Sequence, residues 1–195
     1  MMSSPTTSAQ ICERYKVEPA VFMALSAADR ALFRAAYAAD ELHVVEGAAY
    51  DPQTGAFTPG PPYNNVGPDV CRYLAAAGAD PGEPWCAAFG ACMLLDSGVP
   101  RGTLPELAAS VHGWLDWGQR QSCLEASPAR GMAGLMIFSP TEGHWCWISD
   151  VIGDQVKTIE GNTNPGGSRD GYGVFRRVRD VALFHSFVDL TELVS

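Results

Sequence analysis

The stretch EPWCAAFGACMLL, residues 83–95, decides the fold of this chain. From Cys86 onward it is apolar on nearly every helical face, which is typical of a helix buried on all sides. The loop over residues 81–85 contains two prolines, so we predict that the helix begins directly after it, at Cys86. The other helices and the strands must then pack around this one helix.

Upstream of this helix, the sequence predicts more helices. Residues 8–42 have a helical pattern, in which Ser26 and Asp29 form an N-terminal cap for an Ala-rich helix that ends near Ala39. A further short helix is predicted over residues 69–77, with Gly78 as its C-terminal stop.

Between these predicted helices, residues 51–68 are crowded with Pro, Gly and Asn. This composition predicts a loop. We interpret it as the boundary between a helical N-terminal segment of unknown role, residues 1–50, and a main domain over residues 51–195.

Downstream, the pattern changes from helices to strands. Residues 104–118 are predicted to be helical, and from Gly134 onward four apolar or alternating runs predict strands. Gly153 and Asp154 predict a hairpin turn between the second and third of these strands. Helices followed by an antiparallel sheet give an α+β fold.

Composition narrows the function classes. The 195 residues carry a formal net charge of −9 and have a sequence pI of about 4.8, which argues against nucleic-acid binding and against electrostatic docking to anionic membranes. No apolar run is long enough to span a bilayer. One local exception is residues 157–179, with five basic and two acidic side chains, which we interpret as a solvated basic face.

The six cysteines are too scattered for a disulfide scaffold, and no CxxC pair predicts a zinc ribbon or a redox pair. Cys86 differs from the others because it is placed in the first turn of a helix. The partial positive charge and unpaired N–H groups there favour a thiolate and could bind an oxyanion. The competing interpretation is a buried core cysteine, as assumed for Cys92.

His144 is the candidate general base. It follows a turn-like segment, residues 140–143, and opens a predicted strand. An imidazole has a pKa near neutrality, so it can take a thiol proton and return it to a leaving amine. The competing interpretation is a surface histidine with its polar atoms satisfied, whereas His185 is assigned to packing.

Glu160 and Asn162 are candidates for the group that orients His144. They are two residues apart on a predicted strand and therefore share a face. A two-residue turn at Gly153 would place them on the face opposite His144, so the proposal requires a three-residue turn or one β-bulge. In that simple register, Asn162 lies nearer to His144 than Glu160 does.

These motifs together resemble a known family. Asn65-x-Gly67-Pro68, the PWCAAF start of the buried helix, Gly143-His144 and the run EGNTN at residues 160–164 are similar to the CHAP family of cysteine- and histidine-dependent amidohydrolases/peptidases. That family is related to the NlpC/P60 group and has a papain-like fold. The resemblance covers roughly residues 60–180, and PWCAAF with a downstream GH and ExN is fairly specific.

The resemblance implies roles residue by residue. Cys86 corresponds to the nucleophile, His144 to the base, Glu160 to the acidic third member and Asn162 to a further polar member. It thus favours Glu160 as the orienting group, where the simple register favours Asn162. Trp85 and Trp145 are candidates for shaping a substrate groove, with core packing as the competing interpretation.

The resemblance also implies a peptidoglycan hydrolase that cleaves amide bonds of cell-wall stem peptides without metal or cofactor. No secretory signal is visible at the N-terminus. We therefore expect synthesis in the cytoplasm and delivery to the periplasm or cell wall by another system.

Three alternatives remain open at this point. The first is a secreted effector or toxin with the same chemistry, which would have an immunity or delivery partner. The second is a catalytically inactive binding module. The third is a zinc site built from His144, Cys146 and Glu160, although the usual paired ligand spacings are missing.

Overall fold

A computed structural model describes residues 5–41, 46–51, 56–59, 65–168 and 171–194. The first four residues and two residues of the basic stretch, Arg169 and Asp170, therefore lie outside the described part. The chain has an α+β fold, which confirms the fold class predicted from the sequence.

The described helices and strands are these: α1 Ser8–Tyr15, α2 Pro19–Ala24, α3 Ala27–Glu41, β1 Gly47–Asp51, β2 Ala56–Pro59, α4 Pro68–Ala77, α5 Cys86–Asp96, α6 Val111–Gln121, β3 Leu124–Glu125, β4 Ala133–Ile137, β5 Gly143–Ile152, β6 Gln155–Thr163, β7 Gly173–Asp180 and β8 Ser186–Val188. Three short 3-10 turns lie at 101–103, 181–183 and 191–194. β1 and β2 form a small antiparallel hairpin, and the other strands form one sheet in the order β3-β8-β4-β5-β6-β7.

Local sequence signals set the ends of several helices as predicted. The Ser26 hydroxyl accepts the backbone N–H of Asp29 at 3.0 Å and caps α3. Gly78 ends α4 in the left-handed conformation, with φ of 79°. α5 begins at Cys86, directly after the proline-containing loop.

Two predictions need correction. α6 begins at Val111 and not at residue 104, because the Ser110 hydroxyl accepts the Gly113 N–H at 3.3 Å and caps the helix there. Residues 51–68 are not a loop throughout, since β2 lies within them; residues 52–55 and 60–64 of that stretch lie outside the described residues.

The main core lies between the helices and one face of the sheet. α5 runs through its centre, and all of its first nine residues are buried. Alanines of α3 belong to the same apolar cluster, together with residues of α4, α6, β4 and β5. α3 therefore shares its core with the sheet, whereas Ile11, Cys12 and Phe22 of α1 and α2 form a separate apolar cluster.

α5 approaches the sheet closely because Gly90 has no side chain. A Cβ at this position would lie 2.3 Å from the indole ring of Trp145 on β5. We predict that Gly90→Ala lowers the free energy of unfolding by about 1–3 kcal/mol, since overpacking outweighs the better helix propensity of Ala. Urea unfolding measures this effect, with Gly102→Ala as the control because a Cβ there meets nothing within 4 Å. Equal stability of the two variants would contradict the close packing.

Candidate functional site

The thiol of Cys86 lies at the first position of α5, with Trp85 as the N-cap residue. Pro84 precedes the cap and prevents the helix from extending backwards without a break. The residue is almost fully buried, yet it contributes to the wall of a cleft. The sulfur therefore lies at the N-terminus of a helix, where backbone N–H groups have no partner within the helix.

The surroundings of Cys86 favour its ionised form. Burial alone would raise the pKa of the thiol, but His144 and the backbone N–H groups of Trp145 and Ala87 lower the pKa below its usual value. By contrast, burial raises the pKa of the Cys92 thiol to about 12. The two cysteines of α5 therefore have opposite electrostatic settings.

The imidazole of His144 lies at the start of β5, with 1% of the residue exposed. Its Nε2 is 3.0 Å from Oε2 of Glu160. The strand starts close to its neighbours because Gly143 precedes the histidine, and a Cβ at 143 would lie 2.9 Å from the carbonyl oxygen of Met136.

The second ring nitrogen, Nδ1, is the atom left for Cys86. The interaction between thiol and ring is strong enough to shift the pKa of both groups, although Nδ1 has no aligned hydrogen bond to a described residue. Burial lowers the pKa of His144, but Cys86 and Glu160 outweigh it and raise the pKa to about 9. Both shifts are in the direction that favours a thiolate beside an imidazolium.

A β-bulge brings His144 and Glu160 to the same side of the sheet. The β5–β6 turn has two residues, since Ile152 pairs with Gln155. The register then shifts between Ile148 and Asp150, which leaves one extra residue on β5. This is the bulge that the sequence interpretation required.

Glu160, and not Asn162, contacts the imidazole. Asn162 adopts a left-handed φ of 55°, which turns the backbone out of the regular strand. It lies in the wall of the cleft instead, with 1% of the residue exposed. Its Oδ1 is buried and has no hydrogen-bond partner among the described residues.

Arg179 on β7 is a member of the site that the sequence interpretation missed. Its Nε lies 2.9 Å from Oε1 of Glu160 and its terminal nitrogen lies 2.6 Å from Oε2. The Thr158 hydroxyl also donates to Oε1, at 2.5 Å. Burial would raise the pKa of Glu160, but Arg179 and His144 lower it to about 2.

The basic stretch was interpreted as a solvated face, and Arg179 departs from that interpretation because only 16% of its side chain is exposed. The strand alternation of Arg177 and Arg179 is the signal that could have placed them on one face with Glu160. The pairing of Arg179 with Glu160 depends in addition on the register between β6 and β7. That register is irregular between Glu160 and Thr163.

Trp85 and Trp145 are not at the cleft surface. Both are fully buried, and neither contributes to the cleft wall. Trp85 donates its indole N–H to the Glu46 carboxylate at 2.8 Å, and the same carboxylate accepts the backbone N–H of Asn65 at 3.1 Å. These bonds hold Trp85, the residue before Cys86, in place, so Trp85 supports the site from the core.

The cleft has a volume of about 790 Å³. Its wall comes from the α4–α5 connection, the segment before α6, the turn before β5, and the end of β6. The wall residues are Asn65, Ala77, Gly78, Ala79, Asp80, Gly82, Glu83, Pro84, Cys86, Glu106, Leu107, Ala109, Ser110, Val111, His112, Thr141, Glu142, Gly143 and Asn162.

The alternative zinc ligand set is not assembled. Cys146 is buried in a separate apolar cluster with Ile148, Val156 and Phe187, and its thiol faces the carbonyl oxygen of Gly134 at 3.8 Å. Within the described ranges, no three His, Cys, Asp or Glu side chains are grouped as metal ligands.

No helix of the described ranges combines the length and apolar character needed to cross a membrane.

Comparison with known proteins gives limited similarity. No protein-family model matches the chain, and no curated protein matches it. One similar solved structure is the crystal structure of Ly7917 with the hydrolyzing product of MDP, at 22% identity over 33% of this chain and 29% of that chain, with a TM-score of 0.25. A second crystal structure of Ly7917 has 24% identity over 35% of this chain and 32% of that chain, also with a TM-score of 0.25. The matches span about a third of the Ly7917 chain.

Proposed function

We propose that this protein is a cysteine hydrolase that cleaves amide bonds in the stem peptides of bacterial peptidoglycan. One observation carries the proposal: a thiol at a helix N-terminus lines a cleft and interacts with a buried imidazole, whose Nε2 lies 3.0 Å from a buried carboxylate. This is the arrangement that nucleophilic acyl transfer requires. The choice of cell-wall peptide is supported by the resemblance of PWCAAF, Gly143-His144 and the EGNTN run to CHAP-type, papain-like hydrolases.

The first half of the reaction forms a thioester. The Cys86 thiolate attacks the carbonyl carbon of the scissile amide, and N–H groups at the start of α5 stabilise the oxyanion that forms. The His144 imidazolium then gives its proton to the amide nitrogen, the C–N bond breaks, and the amine leaves. Glu160 holds the ring in place and stabilises its positive charge through Nε2.

The second half releases the product. Neutral His144 takes a proton from a water molecule, whose oxygen attacks the thioester carbonyl. Collapse of this intermediate expels the Cys86 thiolate and frees a carboxylic acid, which then loses its remaining proton to solvent. The imidazolium stands beside the thiolate again. Glu160 remains ionised throughout, because Arg179 and His144 hold its pKa at about 2.

The titration of the pair predicts a bell-shaped dependence of kcat/KM on pH. Activity falls on the alkaline side near pH 9, where the imidazolium of His144 loses its proton, and on the acid side where the thiolate of Cys86 becomes a thiol. The acid limb should lie below the usual thiol pKa because that pKa is lowered. Initial rates on a neutral peptide substrate across pH 4–10 check both limbs, and rates that rise steadily to pH 10 would exclude the ion pair.

Digestion of purified peptidoglycan tests the proposed function. Soluble products separated by mass should carry one new amine and one new carboxylate for each bond cut, which also identifies the bond. Prior treatment with a thiol alkylator should abolish their release. The absence of any product from active, folded protein would rule out peptidoglycan as the substrate.

A further inference from the structure

The cleft beside Cys86 has a one-sided charge. Among the residues that the structure describes, its wall contains four carboxylates, of Asp80, Glu83, Glu106 and Glu142, and no lysine or arginine. His112 is the other ionisable wall residue besides the thiol, and its Nε2 lies 3.1 Å from the carbonyl oxygen of Ser139. The guanidinium of Arg101, which is not a wall residue, donates to the backbone carbonyls of Ala77, Pro105 and Glu106. The wall therefore favours a positively charged group over a negatively charged one.

Two of these carboxylates belong to a turn with fixed geometry. Asp80 and Glu83 are joined by a hydrogen bond from the Glu83 N–H to the Asp80 carbonyl oxygen, at 3.3 Å. Asn65 and Gly82 exchange two more bonds, at 3.1 and 3.2 Å. Glu83 lies three residues before Cys86 in the chain, and both carboxylates line the same cleft as the nucleophile.

Asn162 provides a second, independent observation in the same wall. Its Oδ1 is a buried hydrogen-bond acceptor without a partner among the residues that the structure describes. The residue is held in its left-handed conformation by the bond from the Gly171 N–H to its carbonyl oxygen, at 3.1 Å. A buried acceptor is stabilised by a donor, and an N–H group of a bound ligand is a suitable one.

From these two observations, we propose that the cleft selects peptides that carry a protonated amine close to the amide that is cut. The amine has two possible sources, a free peptide N-terminus or the side chain of a diamino acid residue, and both present an ammonium with several N–H donors. This inference rests on the proposed function, because it assigns the substrate class of the same cleft.

Matched synthetic stem peptides test the inference. Three forms of one peptide are compared: with both amines free, with the α-amine acetylated, and with the side-chain amine acetylated. Acetylation of the recognised amine should lower kcat/KM about 10-fold or more, and the loss should shrink at high salt because the carboxylates are exposed to solvent. The form whose rate falls identifies the source of the amine.

Charge-neutral variants locate the selectivity. Asp80→Asn with Glu83→Gln should bring the free and acetylated peptides towards equal rates, and circular dichroism with an unchanged urea unfolding midpoint should show that the variant is folded. The control, Glu13→Gln with Glu125→Gln, removes the same charge from exposed positions outside the cleft wall and should keep the selectivity.

The outcomes separate the two proposals. Equal rates on all three peptides by the wild-type protein would overturn the selectivity and leave the hydrolase function standing. Equal loss of selectivity in the cleft variant and the remote control would also overturn it, since net charge would then be the cause. No cleavage of any peptide or of peptidoglycan would instead remove the proposed function itself.

Discussion

Replacement of Cys86 by Ala should lower the rate of peptidoglycan digestion by about 10⁴-fold or more, because the attacking atom that interacts with His144 is lost. The fold should survive, since Ala fits the space of the thiol and is a good helix former. Release of muropeptides, followed by mass, measures the rate, and circular dichroism checks the helices.

Cys92→Ala is the matched control on the same helix. Cys92 is equally buried, but its sulfur contacts Arg72 at 3.1 Å and its pKa is raised to about 12. We expect this variant to digest peptidoglycan at nearly the wild-type rate. A small alkylating reagent should likewise label Cys86 much faster than Cys92. Full activity in Cys86→Ala, or equal loss in both variants, would end the assignment of the nucleophile.

Much of the scaffold around this thiol could be predicted from sequence because its signals are local. The start of α5 follows from a proline loop and an apolar run, and the ends of α3 and α4 follow from a serine cap and a C-terminal glycine. The turn at Gly153 is equally local. Each of these features depends on residues within about one helical turn of each other.

The features that sequence could not settle depend on pairing between distant segments. Whether Glu160 or Asn162 meets His144 is decided by one extra residue near Ser149 and by the positive φ of Asn162. Neither feature leaves a clear mark in the sequence, since asparagine and serine occur in many conformations. β8 is only three residues long and inserts between β3 and β4, which no local pattern indicates.

The burial of the tryptophans illustrates the same limit. Trp85 and Trp145 flank the site residues in sequence, which suggested a groove. The strand alternation turns Trp145 to the helical side of the sheet, where it packs against Gly90. Their positions next to Cys86 and His144 in the sequence therefore predicted correctly that the tryptophans lie near the site. They did not predict that the side chains point into the core.

Arg179→Gln is the second change expected to have a large effect. The guanidinium forms two bonds to the Glu160 carboxylate. Its loss leaves a buried charge whose remaining hydrogen-bond partners among the described residues are His144 and the Thr158 hydroxyl. Breaking one side of such a pair costs about 3–5 kcal/mol of stability when the pair is buried. We expect kcat to fall about 10- to 100-fold through misplacement of the imidazole, with KM nearly unchanged.

The pH profile distinguishes positioning from a purely structural role. Arg179 lowers the pKa of Glu160, whereas burial raises it, so removal of the guanidinium must raise that pKa above about 2. We expect the acid limb of kcat/KM to move to higher pH, because Glu160 is then protonated at a higher pH than in the wild type. A variant that is merely less folded would lose amplitude at every pH without moving the limb.

Arg176→Gln supplies the control from the same strand. Arg176 pairs with Asp40 at 2.7 Å, and 48% of its side chain is exposed, so its loss should cost about 1 kcal/mol or less and leave the pH profile in place. Arg179→Lys keeps the charge without the two-bond geometry and should fall between the wild type and Arg179→Gln. An acid limb that stays fixed in Arg179→Gln would mean that the guanidinium stabilises the sheet and does not hold the carboxylate for His144.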